Sequence, residues 1–139
     1  MHNLAGHSIV VVDDDTSFFP VYESVLEKYD CSLSLFLSAS AALKELSTGP
    51  TPTLLIVDHL LTEMSGQDFL EELKTLRADI FEKTFILGFS GSNASSQLLD
   101  SFKNWIHAYA QKPNDLSVLM ALMKQYTDKC GISLKTRRS

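Results

Sequence analysis

The chain has 139 residues, 45% apolar and 21% charged, with 12 basic against 17 acidic side chains and a formal charge of −5. Such a length and balance fit one globular domain with a single core, and the net acidity argues against a stand-alone nucleic-acid binder, which needs clustered Lys and Arg. No apolar run approaches the about 18 residues of a membrane span, residues 1–8 lack a basic-then-apolar leader, and Cys31 and Cys130 match no metal or redox spacing, so a reducing cytoplasm is the expected compartment.

A first strand is predicted over 7–12, where Ile9, Val10, Val11 and Val12 run into Asp13, Asp14 and Asp15. Thr16 or Ser17 caps a helix to about residue 29, with Pro20 tolerated in its first turn and Val21, Val25 and Leu26 facing inward. Leu33, Leu35 and Leu37 alternate with Ser32, Ser34 and Phe36 as a second strand. Ser38 or Ser40 caps a helix holding Ala41, Ala42, Leu43 and Leu46, which Gly49-Pro50 stops. Leu54, Leu55, Ile56 and Val57 have no polar interruption, the pattern of a strand buried on both faces, and they end on Asp58. A loop over 58–65 leads at Gly66 into a helix with Phe69, Leu70, Leu73 and Leu76 at core spacing. A fourth strand over 84–89 ends on Ser90-Gly91. After a polar loop, Leu98, Leu99 and Phe102 mark a fourth helix, and 108–111 is a short fifth strand. Lys112-Pro113 follows, and Asn114 caps a last helix to about residue 129 through Leu116, Leu119, Met120 and Met123. One domain over 1–129 and a flexible basic tail over 130–139, with Lys135, Arg137 and Arg138, is the expected organisation.

Five strands alternating with five helices through short connections predict a parallel sheet with helices on both faces. In such sheets ligands sit in the crevice beyond the strand carboxyl ends, where three apolar strands here deliver Asp13 and Asp14, Asp58, and Ser90. Two carboxylates about 4 Å apart repel by roughly 4 kcal/mol at an effective dielectric near 20. Crowded acids therefore take up protons or bind a cation, and an all-oxygen pocket with open positions suits Mg²⁺. The competing reading of the triplet is a solvated turn that caps the following helix. Lys112, with its backbone direction restricted by Pro113, and Ser90 add a cation and a hydroxyl, the equipment of phosphoryl transfer.

On these pieces the chain resembles the receiver domain of two-component response regulators over about 7–128. They are Asp13-Asp14 after a hydrophobic strand, Asp58 after Leu54 to Val57, Met64-x-Gly66, Ser90, and Tyr109-x-x-Lys112-Pro113. The resemblance implies a (βα)5 flavodoxin-like three-layer sandwich and a phosphoacceptor, not a turnover enzyme. It implies phosphorylation of Asp58, with Mg²⁺ held by Asp14, Asp58 and the Leu60 backbone carbonyl and assisted by Asp13. Ser90 and Lys112 contact the phosphoryl group, and Tyr109 is the switch aromatic. It further implies a histidine kinase or histidine phosphotransfer protein as donor. A downstream protein then reads the face of the fourth helix, fifth strand and fifth helix, where Trp105, Tyr109, Leu122 and Tyr126 offer apolar contacts. Neither nucleic-acid binding nor a membrane span is expected, and the oligomeric state is a monomer or a phosphorylation-dependent dimer. The receiver is expected to stand alone.

Three departures stand out. Thr62 replaces a common proline four residues after the acceptor, which predicts a less rigid loop. Gly91 stands where alanine is frequent, leaving room for a phosphatase or small phosphodonor. Trp105-Ile106-His107-Ala108 replaces a glycine-containing turn. Two other readings remain at this point. One is a pseudo-receiver that binds a partner without phosphorylation. The other is a phosphatase, because Asp13-x-Asp15-Thr16 also resembles the opening motif of the haloacid dehalogenase type; that reading leaves Asp58 unused and finds no acidic pair after Lys112.

Overall fold

A computed structural model describes residues 8–26, 32–91 and 96–111. Strands β1 (Ser8–Val12), β2 (Ser32–Phe36), β3 (Leu54–Val57), β4 (Phe85–Ser90) and β5 (Ala108–Gln111) form one parallel sheet in the order β2-β1-β3-β4-β5. All four residues of β3 are buried, as their uninterrupted apolar run requires. Edge strand β2 leaves Ser32 and Ser34 exposed, Leu33 and Leu35 partly buried on one side and Phe36 on the other. The strand stops at Phe36, so Leu37, read from the alternation as part of the apolar face, is 52% exposed.

Helices α1 (Phe19–Leu26), α2 (Ala39–Thr48), α3 (Gly66–Leu76), α4 (Ala78–Lys83) and α5 (Ser96–Lys103) join the strands. A 3-10 turn over Thr16–Phe18 leads into α1. Ser38 caps α2 by accepting from the Ala41 N–H at 3.1 Å, and the chain leaves that helix at Gly49. Ser65 and Asp68 form a reciprocal capping box at the start of α3. Phe69, Leu70 and Leu73 turn inward from α3, while Leu76 lies a turn beyond the core and is exposed.

Sequence periodicity missed α4, because six residues give too short a window for a 3.6-residue repeat. Its single buried residue is Ile80. Its entry is fixed by Arg77, whose guanidinium pairs with Asp79 and donates to the carbonyls of Leu46 at 2.9 Å and Gly49 at 2.7 Å. The helix expected as the fourth is therefore α5.

Side chains of α2, α3, α4 and α5 pack with Val10, Val12, Leu55, Val57 and Ile86 on one face of the sheet. Phe19 and Tyr22 of α1 pack with Ile9, Val11, Ile56, Leu87 and Phe89 on the other. The inward roles read for Val21, Val25 and Leu26, and the helix and tail read after Gln111, lie outside the described side chains and residues.

Candidate functional site

The sheet reverses its build direction between β1 and β3, since β2 lies on the far side of β1 and β4 on the far side of β3. That reversal opens a crevice at the carboxyl ends. Val12 pairs with Val57, and the Asp58 N–H donates to the Val12 carbonyl at 3.0 Å, so Asp13 and Asp58 leave the sheet side by side. Asp13, Asp14 and Asp58 each offer a carboxylate oxygen, all within 4.8 Å of one another.

The acidic triplet divides its work. Asp13 is fully buried; its Oδ1 accepts from the Asp15 N–H and its Oδ2 from the Tyr22 hydroxyl, each at 2.9 Å. Asp14 is half-buried and its carboxylate accepts from the Thr62 hydroxyl. Asp15 is exposed and caps the 3-10 turn, accepting from the Ser17 N–H at 3.1 Å and from the Ser17 hydroxyl. The capping reading of the triplet holds for Asp15, while Asp13 and Asp14 lie with Asp58. Asp58 keeps 8% of its surface exposed, and its Oδ1 faces the Leu60 N–H at 3.5 Å. Three carboxylates converging at this range, with Leu60 two residues beyond Asp58, form an oxygen-only donor set that fits Mg²⁺.

The loop after Asp58 is pinned rather than loose. Thr62 reaches Asp14, and Glu63 accepts from the Ser40 N–H at 3.2 Å and the Ser40 hydroxyl at 2.6 Å at the start of α2. Those Ser40 hydrogen bonds hold the Glu63 carboxyl below its usual range. Within the loop, the Leu61 N–H donates to the Met64 carbonyl and the Gly66 N–H to the His59 carbonyl. Side-chain tethers thus take over what a proline ring at position 62 would do by restricting φ.

Ser90 ends β4 opposite Gln111, one residue past the level of Asp58, and Tyr109 pairs with Gly88. The Tyr109 ring lies 5.0 Å from the Lys103 ammonium. A Cβ on Gly91 would meet nothing within 4 Å, in keeping with room at that position. Lys112 follows Gln111 directly and, with Leu122 and Tyr126, lies outside the described residues.

Residues 9–124 match the sequence family described as the response regulator receiver domain. The chain belongs to that family. No curated protein matches it. Among solved structures, this receiver is similar to a CheY-like response regulator receiver domain protein from Methanospirillum hungatei JF-1, at 24% identity, with 88% of this chain and 94% of that one covered and a TM-score of 0.73. It is similar also to the signal receiver domain of a putative Luxo repressor protein from Vibrio parahaemolyticus, at 19% identity, 90% and 92% coverage and a TM-score of 0.75. A third is the BeF3-activated receiver domain of DrrB, a Thermotoga maritima protein, at 20% identity, 88% and 97% coverage and a TM-score of 0.71. All three share its CheY-like, flavodoxin-type α/β architecture.

Sequence reasoning missed three side chains around the receiver's acids. Tyr22 carries a signal: a phenol in an otherwise apolar helix face needs an acceptor when it is buried. Thr62 was noted for the proline it replaces, not for its hydroxyl. His59, next to Asp58, is 2% exposed, and its ring lies 4.9 Å from that of Phe102 on α5. Its Nδ1 has no hydrogen-bond partner among the described residues. Burial pulls the imidazole below its ordinary pKa, against the opposing effect of a hydrogen bond with the Leu98 backbone. Among the described residues no helix is long and apolar enough to cross a membrane.

Proposed function

We propose that this receiver accepts a phosphoryl group on Asp58 from a histidine kinase or histidine phosphotransfer protein in a phosphorelay, and that the modification switches a partner-binding surface. The observation that carries it is Asp58 itself, the acid that follows the fully buried strand β3 and yet keeps exposed surface in the crevice. An Asp58 oxygen attacks phosphorus, the phosphorus–nitrogen bond of the donor breaks, and the departing imidazole nitrogen takes a proton. Asp13, Asp14, Asp58 and the Leu60 backbone carbonyl would hold Mg²⁺, which supplies positive charge against the transferring oxygens. Lys112 supplies a second positive charge and Ser90 a hydroxyl donor.

The product carries a charge near −2 and three acceptor oxygens. These draw in Ser90 and Lys112, Tyr109 follows, and the change is read on the face of α5, β5 and the segment 114–129. The acting unit is 1–129, a cytoplasmic phosphoacceptor that does not turn over a substrate. A phosphatase with Asp13 as nucleophile is a poor fit, because Asp13 is fully buried with both oxygens engaged and Asp15 is a cap.

Treatment with acetyl phosphate and Mg²⁺ should add one phosphoryl group by intact mass. Asp58→Asn should abolish it with the fold intact. Undiminished labelling of that variant rejects Asp58 as acceptor, and an unlabelled wild type favours the phosphorylation-independent pseudo-receiver. Beryllofluoride with Mg²⁺ should alter the fluorescence of Trp105, whose ring meets Phe81 edge-on at 6.3 Å and the Lys74 ammonium at 5.5 Å, and Asp58→Asn should remove the response.

A further inference from the structure

Tyr22 is buried on α1 among Ile9, Val11, Ile56, Leu87 and Phe89, a pocket that a phenylalanine would fill without needing an acceptor. Its ring is fixed edge-on to Phe89, with centroids 6.0 Å apart at 73°. The hydroxyl donates to Asp13 Oδ2 at 2.9 Å, while the Asp15 N–H donates to Oδ1 at the same distance. The Asp13 carboxylate is therefore gripped at both oxygens. A carboxylate oxygen that accepts one hydrogen bond can also bind a cation or a cation-bound water.

We propose that Tyr22 is the positioning residue of the metal site, acting through Asp13 to hold its carboxylate in the orientation that a divalent cation shared with Asp14 and Asp58 needs. The inference rests on the reading of those acids as a Mg²⁺ site. Without the hydroxyl, Asp13 Oδ2 loses the donor that fixes it from the α1 side, and the last torsion of the carboxylate, intrinsically broad, is held less tightly. Donors to metal-ligating carboxylates typically change metal affinity by about 10–100-fold when removed.

The test is calorimetric Mg²⁺ titration of the full chain and its Tyr22→Phe variant, which keeps the ring. Tyr22→Phe should lower Mg²⁺ affinity by about 10-fold. The Mg²⁺ concentration giving half-maximal labelling by acetyl phosphate should rise equally, with the rate at saturating Mg²⁺ unchanged. In an Asp13→Asn background the substitution should have no further effect, because its action runs through that carboxylate. Equal or tighter binding by Tyr22→Phe overturns the proposal, as does a full effect in the Asp13→Asn background. If the wild type does not titrate, the Mg²⁺ reading fails and this inference with it. If Tyr22→Phe does not fold, the wild type decides: Mg²⁺ should perturb the near-ultraviolet tyrosine dichroism and should not do so in Asp13→Asn. No perturbation, or one that persists in that variant, overturns the proposal.

Discussion

The turn after β1 and the loop after β3 leave the sheet side by side, and each begins on an aspartate. Their treatment of that aspartate is opposite. Asp13 is sealed and hydrogen-bonded at both oxygens, and the chain passes at once into a capped 3-10 turn. Asp58 keeps exposed surface, is followed by the 51%-exposed Leu60, and is served by a longer loop tied down at Thr62 and Glu63. A charge that stays constant is fixed by direct hydrogen bonds. At Asp58, which keeps 8% of its surface exposed, the surrounding loop is fixed instead.

The sharpest way to break this arrangement is to push on the base of the second loop. A Cβ on Gly66 would strike the Asp58 carbonyl oxygen and lie 3.0 Å from Phe102 Cε1, so Gly66→Ala should cost about 3 kcal/mol by denaturant unfolding. Gly91→Ala, with open space around it, should change stability by less than about 0.5 kcal/mol. Equal losses would show that the loop base is not tight.

Within the first turn, Asp14→Ala should weaken Mg²⁺ binding by more than about 10-fold, or about 1.4 kcal/mol. Asp15→Ala should leave that affinity unchanged and cost about 1 kcal/mol of stability through the lost cap. Titration and unfolding of both variants would expose a wrong division of the triplet if the two effects coincide.

Thr62→Val removes the hydroxyl that reaches Asp14 while keeping the side-chain shape, and a loss of about 0.5–1 kcal/mol is expected in thermal unfolding. A stabilised variant would mean that the tether is strained rather than supporting.

The smallest effect belongs to His59, because its Leu98 hydrogen bond opposes the effect of burial. Its folded pKa lies below the unfolded value near 6.5, so the unfolded chain takes up its proton first. Stability should fall as pH drops below about 6.5, and the fall should end once the folded group is protonated too. His59→Leu should flatten that part of the profile in a pH series of melting temperatures. Glu63 acts lower: its lowered folded pKa adds stability present above the ordinary carboxylate value and lost as pH falls through the folded one.

Much of this was legible in the sequence. The apolar runs ending on Asp13, Asp58 and Ser90 pointed to a parallel sheet with a crevice at its carboxyl ends, because in such a sheet the pattern and the position of the polar groups are linked; the strand order itself came from the structure. Leu37 was misjudged because hydrophobicity continues past the end of β2, and Leu76 because it continues to the last residue of α3, where burial does not. Helix α4 was invisible since its fixing contacts are made by Arg77 to carbonyls 31 and 28 residues away. Tyr22 and Thr62 escaped for the same reason: a hydroxyl's partner is chosen by the fold, and Thr62 finds Asp14 48 residues earlier.

Arg77 has a consequence for how the molecule comes apart. Its guanidinium buttons the end of α2 to the junction of α3 and α4, at the end of the sheet opposite the crevice. Amide hydrogen exchange should therefore be graded along the strand direction, with slow exchange around 46–49 and 77–84 and faster exchange in the loops of 13–17 and 59–64. Those loops would then be carried on a slowly breathing base, and ligand-driven protection would spread from the fast end without reaching the slow one.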